Sequence, residues 1–128
     1  MTCAVAEQVP ERPTIVCLCG STRFAEQFQM TCLAETLAGR IVLSVATAPG
    51  GDEALFAHLE PTERARLVEM LAELHLRKID LADEVLILDV EGYIGPSTAR
   101  ELAYARAQGK CVRFLRDEVE MKKGPIIR

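Results

Sequence analysis

The chain has 128 residues, 15 Lys+Arg against 19 Asp+Glu, and a formal net charge of −4. Its 49% hydrophobic and 27% charged residues are those of a globular domain and not of a disordered chain. No apolar run is long enough to span a bilayer, and the acidic balance excludes long-range attraction to a nucleic acid polymer or an anionic membrane.

Residues 1–13 hold Pro10 and Pro13 without any period and are expected to form a flexible leader. They lack the basic start and apolar stretch of a secretory signal. The cysteines Cys3, Cys17, Cys19, Cys32 and Cys111 are odd in number and scattered, the pattern of reduced thiols in a cytoplasmic protein. Cys17 and Cys19 share one face of a strand, but no second Cys or His pair follows at ligand spacing. No structural zinc is therefore expected, and the cysteines read as small buried hydrophobes.

Thr14 to Cys19 is a short apolar run closed by Gly20-Ser21, the pattern of a buried strand and its turn. A helix follows over Arg23–Ala38 on Phe24, Phe28, Cys32 or Leu33, and Leu37, with Gly39 as its stop. Ile41–Val45 is the second strand. Residues 46–60 contain Pro49, Gly50 and Gly51 without a period, a loop long enough to be functional. Pro61 opens a long helix to about Ala82, with Val68, Leu71, His75, Ile79 and Ala82 facing inward. Glu84–Val90 is a strand apolar enough to be covered on both faces. A loop over Glu91–Gly95 leads to a helix from Pro96 or Ser97 that ends at Gly109. Cys111–Leu115 is the last strand, and residues 116–128 read as a charged tail in which Glu118–Lys123 is a solvated face.

This alternation predicts one α/β domain over residues 14–115: an open parallel sheet of four or five strands with helices on both faces. In such sheets ligands bind outside the carboxyl ends of the strands, where Gly20–Arg23, the 46–60 loop and Asp89–Glu101 would converge. Gly20, Ser21, Thr22 and Arg23 combine close backbone approach, hydroxyls and a planar cation, which suits a phosphate. The same residues also suit a plain helix cap. Gly95-Pro96-Ser97-Thr98-x-x-Glu101 has two readings as well: a capping box from Thr98 to Glu101, or a carboxylate aimed at the crevice as nucleophile or base. His75 is either a core residue or a proton donor. Asp89, at the end of the third strand, and Tyr93, as a stacking ring, are further binding candidates; His58, Asp80 and Asp83 are not.

Three segments together resemble the nucleoside 2-deoxyribosyltransferase superfamily, which includes the nucleotide N-glycosidases that hydrolyse nucleoside 5'-monophosphates. They are Cys19-Gly20-Ser21-x-Arg23 after a strand, Ala82-Asp83 before one, and Gly95-Pro96-Ser97-Thr98-x-x-Glu101 leading into Leu102-Ala103-Tyr104-Ala105. The resemblance, over roughly residues 14–115, implies a Rossmann- or flavodoxin-like sheet and cleavage of an N-glycosidic bond. Glu101 would be the nucleophile, and Gly20, Ser21, Thr22, Arg23, Gly95 and Ser97 would hold the 5'-phosphate. It also implies a homodimer, a small nucleotide or nucleoside as ligand, and no cofactor. Two positions depart from the pattern: Cys17 stands where many relatives have tyrosine, and His75 where many have aspartate, so His75 would be the residue to protonate the departing base. The alternatives are a free-nucleoside transferase, a non-catalytic nucleotide-sensing module, and an interaction domain in which both motifs are only caps.

Overall fold

A computed structural model describes residues 12–122. Four strands, β1 (Ile15–Cys19), β2 (Ile41–Leu43), β3 (Glu84–Ile87) and β4 (Cys111–Phe114), form a wholly parallel sheet in the order β2-β1-β3-β4. Helices α1 (Ala25–Leu37), α3 (Pro61–Leu81) and α4 (Pro96–Ala107) are the crossovers. A short α2 (Gly51–Phe56) lies between β2 and α3, and α5 (Leu115–Lys122) follows β4. This is the Rossmann/flavodoxin-like open sheet expected.

Both faces are covered, and side-chain alternation along the strands decides what each face meets. Cys17, Cys19, Val85 and Ile87 pack against Ile79 and Ala82 at the end of α3 and Ala105 of α4. Val16, Leu18, Leu86 and Leu88 pack against Phe28 of α1, with Leu115 at their edge. The chain goes from β1 outward to β2 and then returns to β3 on the other side of β1. The crevice at the carboxyl ends of β1 and β3 is therefore the topological switch point.

Several local expectations change. Residues 46–60 contain α2, begun by Gly50 and Gly51 at positive φ, and residues 115–122 form a helix instead of a tail. Strand β3 ends at Ile87, and Val90–Gly92 makes a 3₁₀ turn. Val68 and Leu71 are exposed, because β2 ends at Leu43 and leaves no sheet beneath the first half of α3; the inward stripe of α3 begins at His75. On α1 it is Phe28, Thr31 and Glu35 that are buried, whereas Leu33 and Leu37 face outward. Glu118 is no merely solvated charge, since it pairs with Arg113 at 2.7 Å. Apart from Arg12 and Pro13, the expected leader lies outside the described residues.

Asp83 anchors the start of the sheet. Its carboxylate accepts the Ile15 amide at 2.8 Å and two Arg12 bonds at 2.7 and 3.2 Å, while its own amide donates to Ile15 O at 2.8 Å. The Arg12 hydrogen bond, helped by the Ile15 amide, holds the Asp83 carboxyl below its ordinary range against the effect of partial burial. The stabilisation is present above the unfolded-state value of about 3.9 and disappears as pH falls through the lower folded value. Asp83→Ala is expected to cost about 1 kcal/mol for the stranded Ile15 amide alone. Its urea-midpoint profile should also lose part of the wild-type decline below pH 4.

Candidate active site

A cavity of about 400 Å³ opens at the switch point, within the range of small-molecule sites. Its floor is the exit of β1. Gly20 passes so close to the chain leaving β3 that a Cβ there would lie 3.0 Å from Leu88 Cβ and 3.3 Å from both Leu88 O and Phe28 Cζ, an approach that a larger residue would crowd. Ser21 is extended and caps the 3₁₀ turn Thr22–Phe24, its Oγ accepting the Arg23 amide at 3.3 Å. Thr22 donates to Asp52 Oδ2 at 2.9 Å, which ties the turn to α2. The cap reading of Ser21 is therefore real, and Ser21 and Thr22 line the cavity as well.

Arg23 does not line it. Its guanidinium lies 4.5 Å from the centroid of the Tyr93 ring, and Nη2 donates to Tyr93 Oη at 3.3 Å. Phe24 meets the same ring edge-on at 6.0 Å. Tyr93 does line the cavity, against Gly95, where a Cβ would stand 2.9 Å from its hydroxyl.

Helix α4 starts one turn earlier than a Thr98 capping box requires. Gly95 is the N-cap, Pro96 occupies the first turn, and no side chain caps the end. Thr98 is buried, and Glu101 lies well inside the helix. The capping box of this molecule is instead at Glu60 and Glu63, opening α3. Ser97 and Thr98 both line the cavity and belong to the first turn, whose amides have no intrahelical acceptor. Glu101, a turn further on, lines it too. Burial raises the Glu101 carboxyl above its ordinary value, against the opposing pull of His75 and a hydrogen bond with Cys19.

His75 comes from the opposite wall. It is 5% exposed, with Nε2 3.1 Å from Leu18 O, 3.4 Å from Cys19 Sγ and 3.7 Å from Cys17 Sγ. Strand β2 pairs with β1 only as far as Cys17, so the next carbonyl on that edge, Leu18 O, is met by imidazole. Burial opposes the charged ring, but Cys17 and Glu101 outweigh it and His75 is raised above 6.5. Cys17 is lowered to about 6, chiefly by its hydrogen bond with Cys19 and then by His75, against burial; Cys19 is pushed up by Cys17 and by burial. His75 is thus buried in the core, as one expectation had it, and also lines the cavity.

The structure brings Gly20, Ser21, Thr22, His75, Tyr93, Gly95, Ser97 and Glu101 to one cavity and places two candidates elsewhere. Arg23 lies behind Tyr93. Asp89 turns to the other side of β3, where Oδ1 accepts the Arg116 amide at 2.9 Å in a second hollow with Gln27, Glu91 and Val119. Lys78, Asp52 and Arg100 also line the cavity and were not singled out from sequence. Lys78 carried a signal, one turn beyond His75 on the same helix; its Nζ donates to Ser44 O at 2.6 Å. Asp52 was hidden in a segment whose two glycines masked the helix it starts. The remaining wall is apolar, with Val45, Leu55, Phe56 and Leu74 among its residues.

The fold and cavity define an α/β open-sheet protein with a cavity of about 400 Å³ at its switch point. No protein-family model, curated protein or solved structure matches the chain. Among the described residues no helix is long and apolar enough to cross a membrane.

Proposed function

We propose that this protein cleaves the N-glycosidic bond of a nucleoside 5'-monophosphate, by hydrolysis or base exchange, with Glu101 as nucleophile. The observation that carries this reading is one cavity holding a desolvated Glu101 carboxyl, an interacting His75 and the uncapped start of α4. A carboxylate suits a centre that passes through an oxocarbenium-like transition state, and a covalent step divides one barrier into two. Glu101 attacks the anomeric carbon, the base departs with a proton from His75, and water or a second base then displaces Glu101. The ionic interaction with Glu101 favours protonated His75, and the same interaction favours ionised Glu101, so the two support each other in the reactive pair of states. The Ser97 and Thr98 amides and the Ser21 hydroxyl are the phosphate donors, with Lys78 and Arg100 as nearby positive charge. Tyr93, backed by Arg23, is the stacking face for the base.

The Thr22–Asp52 hydrogen bond favours a second reading, a free nucleoside as substrate, because it puts a carboxylate beside the turn that would hold phosphate. Chromatography of released base from a panel of nucleosides and their monophosphates decides between the two. Monophosphates are expected to react, with Arg23→Ala raising their KM roughly tenfold by loosening Tyr93. Turnover of nucleosides alone would favour the second reading, and no released base would end both. To this reading also belong a homodimer that covers the exposed Leu55, Val68, Leu71 and Leu74 edge of the cavity and a cytoplasmic setting, which suits the free thiols Cys17 and Cys19, although Cys111 is disulfide-bonded and corrects the expectation of five reduced thiols.

A further inference from the structure

We propose that Cys17, Cys19 and His75 form a site for a thiophilic d¹⁰ cation, with Zn²⁺ as the ion the donors suit and the fourth position left for a ligand from the cavity. The ligands come from elements far apart in sequence: two thiols at i and i+2 on one face of β1 and an imidazole from α3. The two sulfurs and the imidazole nitrogen all lie within 4.8 Å of one another. A tetrahedral centre with bonds of about 2.3 Å to sulfur and about 2.0 Å to nitrogen puts N and S about 3.6 Å apart. The observed Nε2–Sγ distances are 3.4 and 3.7 Å, so the protein already holds these edges at ligand spacing. Two thiolates and one imidazole are a donor set that suits zinc and disfavours the oxygen-seeking Mg²⁺ and Ca²⁺.

Charge and access agree with this assignment. Two thiolates neutralise a dication. His75 lines the cavity, so an ion entering from there meets that ligand first. Binding releases the thiol protons to solvent and exchanges the Nε2–Leu18 O hydrogen bond for a metal bond. A bound ion occupies His75, the proton donor of the proposed glycosidic reaction, which makes the site inhibitory toward it. The metal assignment goes beyond that reading and does not depend on it.

The test uses the full chain, reduced and stripped of metal with a chelator. Added Co²⁺ should give sulfur-to-cobalt charge transfer with visible bands of tetrahedral intensity, saturating at one equivalent, and Zn²⁺ should displace it with proton release. Cys17→Ser and Cys19→Ser should each weaken Zn²⁺ binding by about 100-fold or more, beyond what loss of an outer-shell partner costs. Cys32→Ser, on α1, should not. X-ray absorption of the zinc-loaded wild type needs no variant and should show two sulfur neighbours; a first shell with none or one overturns the assignment. So does Zn²⁺ affinity unchanged in a folded Cys17→Ser/Cys19→Ser double variant. Base release measured with and without Zn²⁺ keeps the two proposals apart. Released base without metal binding sinks only the metal site, and metal binding without released base sinks only the glycosidase reading.

Discussion

Glu101→Gln is expected to abolish base release and at the same time make the protein more stable. The amide keeps the side chain's volume and hydrogen-bonding reach but cannot attack an anomeric carbon, so turnover should fall by on the order of 10⁴-fold. The stability gain follows from burial, the main cause of the raised Glu101 carboxyl. Because its folded value lies above the unfolded one, the stability linked to the neutral form is complete below the unfolded value. It is lost as pH rises through the folded value. Above that range the wild type carries a desolvated charge that glutamine lacks. The variant should gain about 1 kcal/mol near neutral pH, or roughly 4 °C in Tm, with the difference shrinking as the medium is acidified. Scanning calorimetry at several pH values, beside the base-release assay, checks both parts. A variant that still releases base removes Glu101 as nucleophile; one that is less stable than wild type makes it a structural residue.

Arg113→Ala should unfold the protein more readily than any other single charge removal at the sheet. Arg113 lies in β4 and holds three carboxylates: Glu35 of α1 at 2.6 Å, Glu118 of α5 at 2.7 Å and Glu84 of β3 at 3.0 Å. The Glu35 side chain is only 9% exposed and Glu84 only 12%, so both would be left with little water in place of the guanidinium. Glu35 would retain Arg40 at 3.2 Å, which limits the loss. Breaking such a pair by removing one partner costs about 3 kcal/mol, or near 10 °C in Tm for a chain of this size. Arg113→Lys should recover only part of this, because a point charge cannot reach three carboxylates with separate donors. Burial disfavours charge on Arg113, but the bonds to Glu35 and Glu118 outweigh it and keep the cation firmly protonated. Thermal melts of the two variants against wild type measure the effect; an unchanged Tm in Arg113→Ala would show these pairs to be surface contacts of no consequence.

The same cluster shows where reading periodicity falls short. On α1 the hydrophobic spacing offers Phe28, Cys32 or Leu33, and Leu37 as inward residues; Phe28 and Cys32 do meet the core, yet Glu35 is buried and both leucines are outside. The buried carboxylate is compensated by Arg40, just past the helix, and more closely by Arg113, which arrives from a strand 78 residues later and is in no local pattern of α1. The Gly95–Glu101 segment fails differently. Its letters fit a Thr98–Glu101 capping box, and the choice of Gly95 as N-cap, one turn earlier, releases Glu101 to the cavity. Asp89 sits where a binding residue was expected, at the carboxyl end of β3, but α5 captures its side chain through the Arg116 amide.

The sequence by itself determined the alternation of strands and helices, the double-sided cover of the sheet and the edge on which the site would lie. These follow from local periodicity, turn residues and the handedness of parallel crossovers. Tertiary structure alone decided which side chains meet at that edge. His75 reaches Cys17 and Cys19 because β2 stops at Leu43 and leaves a β1 carbonyl for imidazole to meet. Arg23 leaves the cavity because the Tyr93 ring and hydroxyl hold it. Such outcomes depend on strand lengths and on competition among distant partners for one hydrogen bond or one charge, and neither is written in the spacing of neighbouring residues.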